Sequence, residues 1–181
     1  MQFGLSALLA TVTAAAAVSA QISSGYILTA VPDKNGPPFN SLWTTVSFYE
    51  GGLWIGDAKT DYSSEPFIFA KGTTGSSSIS FTSWHGVPTG WQNMWVYPND
   101  MKPPGFTSPH SAFIPPGADA FNFTIGTNKR FRYKNTNRWF ACPNAAKPKY
   151  YQIIYVGGSN KAPKECTAVA LNVTPYGTCA A

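Results

Sequence analysis

The side chains that could do chemistry are few, and they cluster. Two histidines, His85 and His110, have no second ligand at metal-site spacing. No G-x-S-x-G nucleophile elbow occurs. Eight carboxylates could in principle furnish the acid and base of a glycoside hydrolase. Asp57, Asp61 and Glu65 instead read as polar loop residues, so no catalytic residue is nominated, and neither a metal nor a cofactor is expected. The tryptophans are more suggestive. Trp84, Trp91 and Trp95 fall within twelve residues. Exposed indoles stack on the apolar faces of sugar rings, which makes these three the candidate carbohydrate contact. The competing reading is that they fill a β core or pin a loop.

The other candidates lie in the last third. Asn122-Phe123-Thr124 and Asn172-Val173-Thr174 are N-glycosylation sequons, each with its asparagine on the solvent side of a predicted strand. From Phe121 onward nine Lys or Arg stand against one acid, Glu165, for a net of +8; residues 21–120 carry four bases and seven acids, for −3. Arg130, Arg132 and Lys134 alternate with Phe131 and Tyr133, and therefore share one strand face. That basic face is either simply solvated or a surface for a polyanion such as a phosphorylated or acidic wall glycan. Nucleic acid is an unfavoured partner for a secreted chain with no recognised binding motif. Three cysteines, Cys142, Cys166 and Cys179, allow one internal disulfide in any of three pairings. Cys142 and Cys166 flank a predicted strand and are the favoured pair, which leaves Cys179 free or joined to another molecule.

Positioning these groups falls to strands. The most regular alternation is in the last third: Phe121, Phe123 and Ile125 on one face, a turn at Gly126-Thr127-Asn128, and a return through 130–134. A further strand is predicted at 150–156, and Val169, Leu171 and Val173 oppose Ala168, Ala170 and Asn172 in another. Earlier, 26–31, 66–70, 79–83 and 91–97 read as strands, and the runs either side of Glu50-Gly51-Gly52 read as a β-hairpin. Residues 98–117 carry six prolines and two glycines, so neither ladder nor helix is expected there, and a long mobile loop is predicted.

Composition agrees with an all-β fold. Charged residues make up 12%, aromatics 15%, and Gly and Pro together number 31, a balance that suits many turns and excludes a charged disordered tail. Residues 1–20 read as a secretory signal: an apolar, alanine-rich run from Leu5 to Val18, then the small residues Val18-Ser19-Ala20. The mature chain would start at Gln21, which rules out a copper site built on an amino-terminal histidine, and no later segment is apolar enough to span a membrane. Residues 21–181 suit a single all-β domain, a β-sandwich or partly closed β-barrel.

The order of elements in the last third carries a resemblance. Residues 121–134 lead into Trp139-Phe140-Ala141-Cys142-Pro143-Asn144. An aromatic strand at 150–156 follows, then Cys166 before an alternating apolar run, then Cys179. This resembles the fungal cell-wall protein PhiA family, small secreted proteins connected with phialide and conidium development. The resemblance lies mainly over residues 120–179. The middle of the chain departs from it, with Met94-Trp95-Val96-Tyr97 and the proline-rich stretch in place of a compact Gly-rich segment, so the chain resembles a divergent member. The resemblance implies a non-enzymatic wall or extracellular protein with no catalytic residues to carry over. Its expected partner is cell-wall polysaccharide or mannoprotein. The alternatives are a carbohydrate-binding protein using an aromatic platform, a secreted effector and, third, a glycoside hydrolase.

Overall fold

Alternating apolar residues and turn chemistry dictate short strands, and the computed structural model has them throughout the described residues. The structure describes residues 25–33, 44–56, 64–71, 77–83 and 90–177. The expected leader, Trp84 and Cys179 lie outside these residues. Among the described residues fourteen strands form in chain order. The first seven are β1 (Gly25–Pro32), β2 (Ser47–Tyr49), β3 (Gly52–Gly56), β4 (Glu65–Pro66), β5 (Ile68–Lys71), β6 (Ile79–Thr82) and β7 (Trp91–Trp95). The rest are β8 (Met101–Lys102), β9 (Gly105–Phe106), β10 (Phe123–Ile125), β11 (Arg130–Tyr133), β12 (Trp139–Asn144), β13 (Lys147–Val156) and β14 (Thr167–Tyr176). The domain is all-β, with no helix among the described residues. Among the described residues no helix is long and apolar enough to cross a membrane.

The main path runs β4-β2-β3-β13-β12-β14-β1-β5-β6-β7-β9, with β10 and β11 branching from β14 and β8 from β13. It does not close on itself as a ladder. Isolated contacts draw its arms together instead. Thr29 bridges Thr45 and Val96 bridges Asp119, while the Phe123 N–H donates to the Ser77 carbonyl. The sheet thus curls around a core in the manner of a sandwich.

Local sequence explains the hairpins. Between β2 and β3, Glu50 and Gly51 both take positive φ, 47° and 74°. That is the two-residue turn whose twist matches its flanking strands, and a glycine at its second position makes it inexpensive. The Trp54 indole N–H then donates to the Tyr49 carbonyl across the same turn.

The connection from β13 to β14 is different. Both strands lie antiparallel to β12, one on each of its sides, so residues 157–166 must travel the length of β12 to begin β14. Two fastenings hold this crossover. At its start the Arg138 guanidinium donates to the carbonyls of Gly158 and Asn160, at 2.6 and 2.7 Å. At its end the Cys142–Cys166 disulfide joins β12 to the residue preceding β14.

Inside the sheet the core is mostly aromatic. Phe48, Phe81, Phe106 and Phe67 pack together. Phe67 meets Phe69, Phe69 meets Phe131, and Phe131 stacks between Phe123 and Trp139. Trp139 and Tyr133 both close on Tyr155. Of these rings, Phe67, Phe69, Phe123, Phe131, Tyr133 and Trp139 are among the largest fully buried side chains.

Three expectations need correction. Residues 98–117 do enter ladders: β8 pairs Met101 and Lys102 with Val156 and Tyr155, and β9 pairs Gly105 and Phe106 with Trp95 and Met94. Each is a two-residue strand slotted between prolines, so the missing N–H groups fall outside the pairing. The segment is also fastened to the crossover: Gly157 N–H donates to the Asp100 carbonyl and Asn160 to that of Asn99. Second, Phe121 does not share the inner face with Phe123. Asn122 has φ 66°, which breaks the strand, and Phe121 is left 57% exposed. Third, Lys134 is not on the β11 face. The strand ends at Tyr133, and Lys134 and Asn135 both turn through positive φ.

Candidate functional site

β7 puts two tryptophans on its outer face. Gln92, Met94 and Val96 point inward and are buried, so the pleat sends Trp91, Asn93 and Trp95 outward, with Tyr97 next in the same alternation. At roughly 3.3 Å per residue the row from Trp91 to Tyr97 extends about 20 Å. Trp91 is 41% exposed and meets the His110 ring edge-on at 6.4 Å between centroids.

The proline-rich segment shapes this face. His110 donates its backbone N–H to the Trp91 carbonyl and lies against Gly90, where an added Cβ would come within 2.3 Å of its Nε2. Trp95 lies flat over Gly105: a Cβ there would come within 2.1 Å of the indole. The Trp95 ring is half-buried, its Nε1 enclosed without a hydrogen-bond partner, and its edge meets Tyr97 at 5.3 Å. Over Tyr97 stands the Lys102 ammonium, 4.5 Å from the ring centroid and paired at 2.6 Å with Asp100. Trp91 and Trp95 thus share one face, and the more accessible of the two is Trp91. Sequence reasoning missed the contributions of His110, Asn93, Tyr97 and Gly105. Simple alternation from Trp91 would have found Asn93 and Tyr97; nothing local signals Gly105.

A second surface is the outside of β11. Phe131 and Tyr133 are fully buried, which fixes Arg130 and Arg132 outward as expected. Arg130 sits directly opposite Asn172 on β14, and Arg132 opposite Thr124 on β10.

Between the two surfaces lies a polar knot around Asp119. The Tyr133 hydroxyl donates to its carboxylate at 2.5 Å, the Asn122 amide at 3.0 Å and the Phe121 backbone N–H at 2.7 Å. Burial raises the Asp119 pKa, but these hydrogen bonds and the nearby Lys134 charge outweigh it and hold the carboxyl below the usual carboxylate range. Burial, with the same carboxylate beside it, pushes the Tyr133 hydroxyl well above the usual tyrosine value. The knot joins β7, through the Val96–Asp119 bridge, to β10 and β11.

Of the two sequons, Asn122 is exposed, and Asn172 is half-buried within a ladder on both sides. The expected Cys142–Cys166 bond is formed. Glu65, expected in a polar loop, is instead 2% exposed in β4 and accepts a hydrogen bond from Ser83. Among the described residues no three His, Cys, Asp or Glu side chains gather to hold a metal ion. In comparisons with known proteins, no family model matches the chain, and no curated protein or solved structure does either.

Proposed function

We propose that this chain is a secreted, non-catalytic structural component of a fungal cell wall, tied to conidium development as a divergent PhiA-like protein, and that it meets wall polysaccharide on the outer face of β7. The observation that carries the reading is the outward row Trp91, Asn93, Trp95 and Tyr97, with Trp91 41% exposed at one end. Aromatic faces flanked by an amide and a charged pair are the chemistry that holds a sugar chain: ring faces cover C–H surfaces, and polar groups meet hydroxyls.

Two further observations support it. The disulfide in the most regular part of the sheet suits an oxidising compartment. The stretch on which the resemblance rests is strand-rich, with 139–144 forming β12 and the aromatic run forming β13. A tagged chain expressed in a filamentous fungus should fractionate with purified walls and be released by soluble wall oligosaccharide. Recovery of the whole pool in the medium, with none on walls, would overturn the proposal.

A further inference from the structure

The arginines of the last third are used in two different ways. Arg138 is committed to the fold, its guanidinium spent on the carbonyls of Gly158 and Asn160. Arg130 and Arg132 are not. Among the described residues neither guanidinium donates a hydrogen bond or pairs with a carboxylate, and Arg132 Nε is enclosed without an acceptor. A guanidinium is a planar fork of donors suited to carboxylate and phosphate oxygens, and one left uncommitted on a rigid strand is preorganised for an external anion.

The register gives these two cations a setting. Arg130, Asn172, Thr29 and Thr45 face one another in turn across β11, β14, β1 and the segment before β2. Thr124 stands opposite Arg132. The partners are hydroxyls and an amide, which hydrogen-bond without neutralising charge. Lys129, exposed in the β10–β11 turn, adds a third cation at one end. The two arginines lie two residues apart on one strand, so their Cα atoms are about 7 Å apart.

We propose that this face is a second binding surface, for an acidic glycan carrying carboxylate or phosphodiester groups, with Arg130 and Arg132 gripping successive anionic groups and Asn172 and Thr29 meeting adjacent hydroxyls. It is separate from the β7 row and does not depend on it. It also bears on modification: a glycan on Asn172 would lie over Arg130, so the proposal requires the Asn172 sequon to be unoccupied in the secreted protein.

The test uses the full secreted chain on immobilised polygalacturonate and phosphomannan, with laminarin as the neutral control and a single-stranded oligonucleotide as a non-glycan polyanion. Retention on the acidic glycans should fall with salt, and Arg130→Gln/Arg132→Gln should weaken it about tenfold or more. The control variant Lys161→Gln/Lys164→Gln removes the same charge from exposed positions elsewhere and should retain nearly full binding. Arg130→Gln alone, with an unchanged melting temperature, guards against a folding defect and should give an intermediate loss. Equal weakening by both double variants, retention on laminarin matching the acidic glycans, or preference for the oligonucleotide would each overturn the proposal. A peptide map showing Asn172 glycosylated would do so as well.

Discussion

Two regions of the sheet bury the same aromatic core by different means. Around β14 the ladders are long: β1 and β14 keep register over eight pairs, from Gly25↔Tyr176 to Pro32↔Val169, and β12 runs along both β13 and β14. A disulfide and the Arg138 clamp hold the crossover. In the arm from β5 to β9, by contrast, neighbouring strands share two or three pairs, and interlocking rings and close glycine contacts make up the difference. Long ladders satisfy backbone groups on both sides but leave little freedom outside. Short strands between prolines allow the Trp91–Tyr97 row to be trimmed by loops. The long-ladder region is a frame, and the short-strand arm carries a face shaped by its loops.

Substitutions can break this contrast, starting with the frame. Trp139 is 1% exposed and packs between Phe131 and Tyr155. Trp139→Ala should cost about 3–5 kcal/mol and shift the single unfolding transition seen by every probe. A loss below about 1 kcal/mol in denaturant titrations would show that the frame does not rest on this ring.

Cys142→Ser removes the staple and should cost roughly 3 kcal/mol, from the loop closed by the bond. Thermal melts with and without reductant check it: the wild type should fall to the variant's level when reduced, and the variant should not respond.

In the arm, Gly105→Ala would drive a Cβ into the Trp95 indole. The expected cost is about 1–3 kcal/mol, with a red-shifted tryptophan emission as the ring lifts from its seat. An unchanged emission spectrum would mean that the arm repacks easily.

The smallest effect concerns the knot that joins the two regions. The folded state favours ionised Asp119, so its contribution is present above the unfolded carboxyl pKa of about 3.9 and is lost as pH falls below it. Tyr133 is held neutral, so its contribution is present below about pH 10 and is lost as pH rises beyond. Asp119→Asn should flatten the acid limb and cost about 1–2 kcal/mol near neutrality. Stability measured between pH 2.5 and 11 tests both signs.

Much of this was legible in the residues. Alternation located β10, β11 and β14, and the Gly51-Gly52 pair marked its hairpin, although the turn itself is Glu50-Gly51 and Gly52 already opens β3. The disulfide followed from two cysteines flanking one strand. What escaped were features set by distant contacts. Proline density at 98–117 argued against pairing, yet Gly105 pairs with Trp95 because the indole needs a residue without a side chain beneath it. Phe121 fitted the period and still fell outside, because Asn122 turns left-handed to reach Asp119 and Ser77. Glu65 lies in a polar run and is nevertheless buried, accepting a hydrogen bond from Ser83, eighteen residues away.

The most direct test of the central claim is co-sedimentation of the secreted protein with insoluble β-glucan and chitin, comparing wild type with Trp91→Ala. Trp91 is largely outside the core, so the variant should melt within about 0.5 kcal/mol of wild type. The account predicts that wild type pellets with at least one of these glycans and that Trp91→Ala stays in the supernatant. Equal pelleting of the two proteins, or wild type remaining soluble with both glycans, would contradict it.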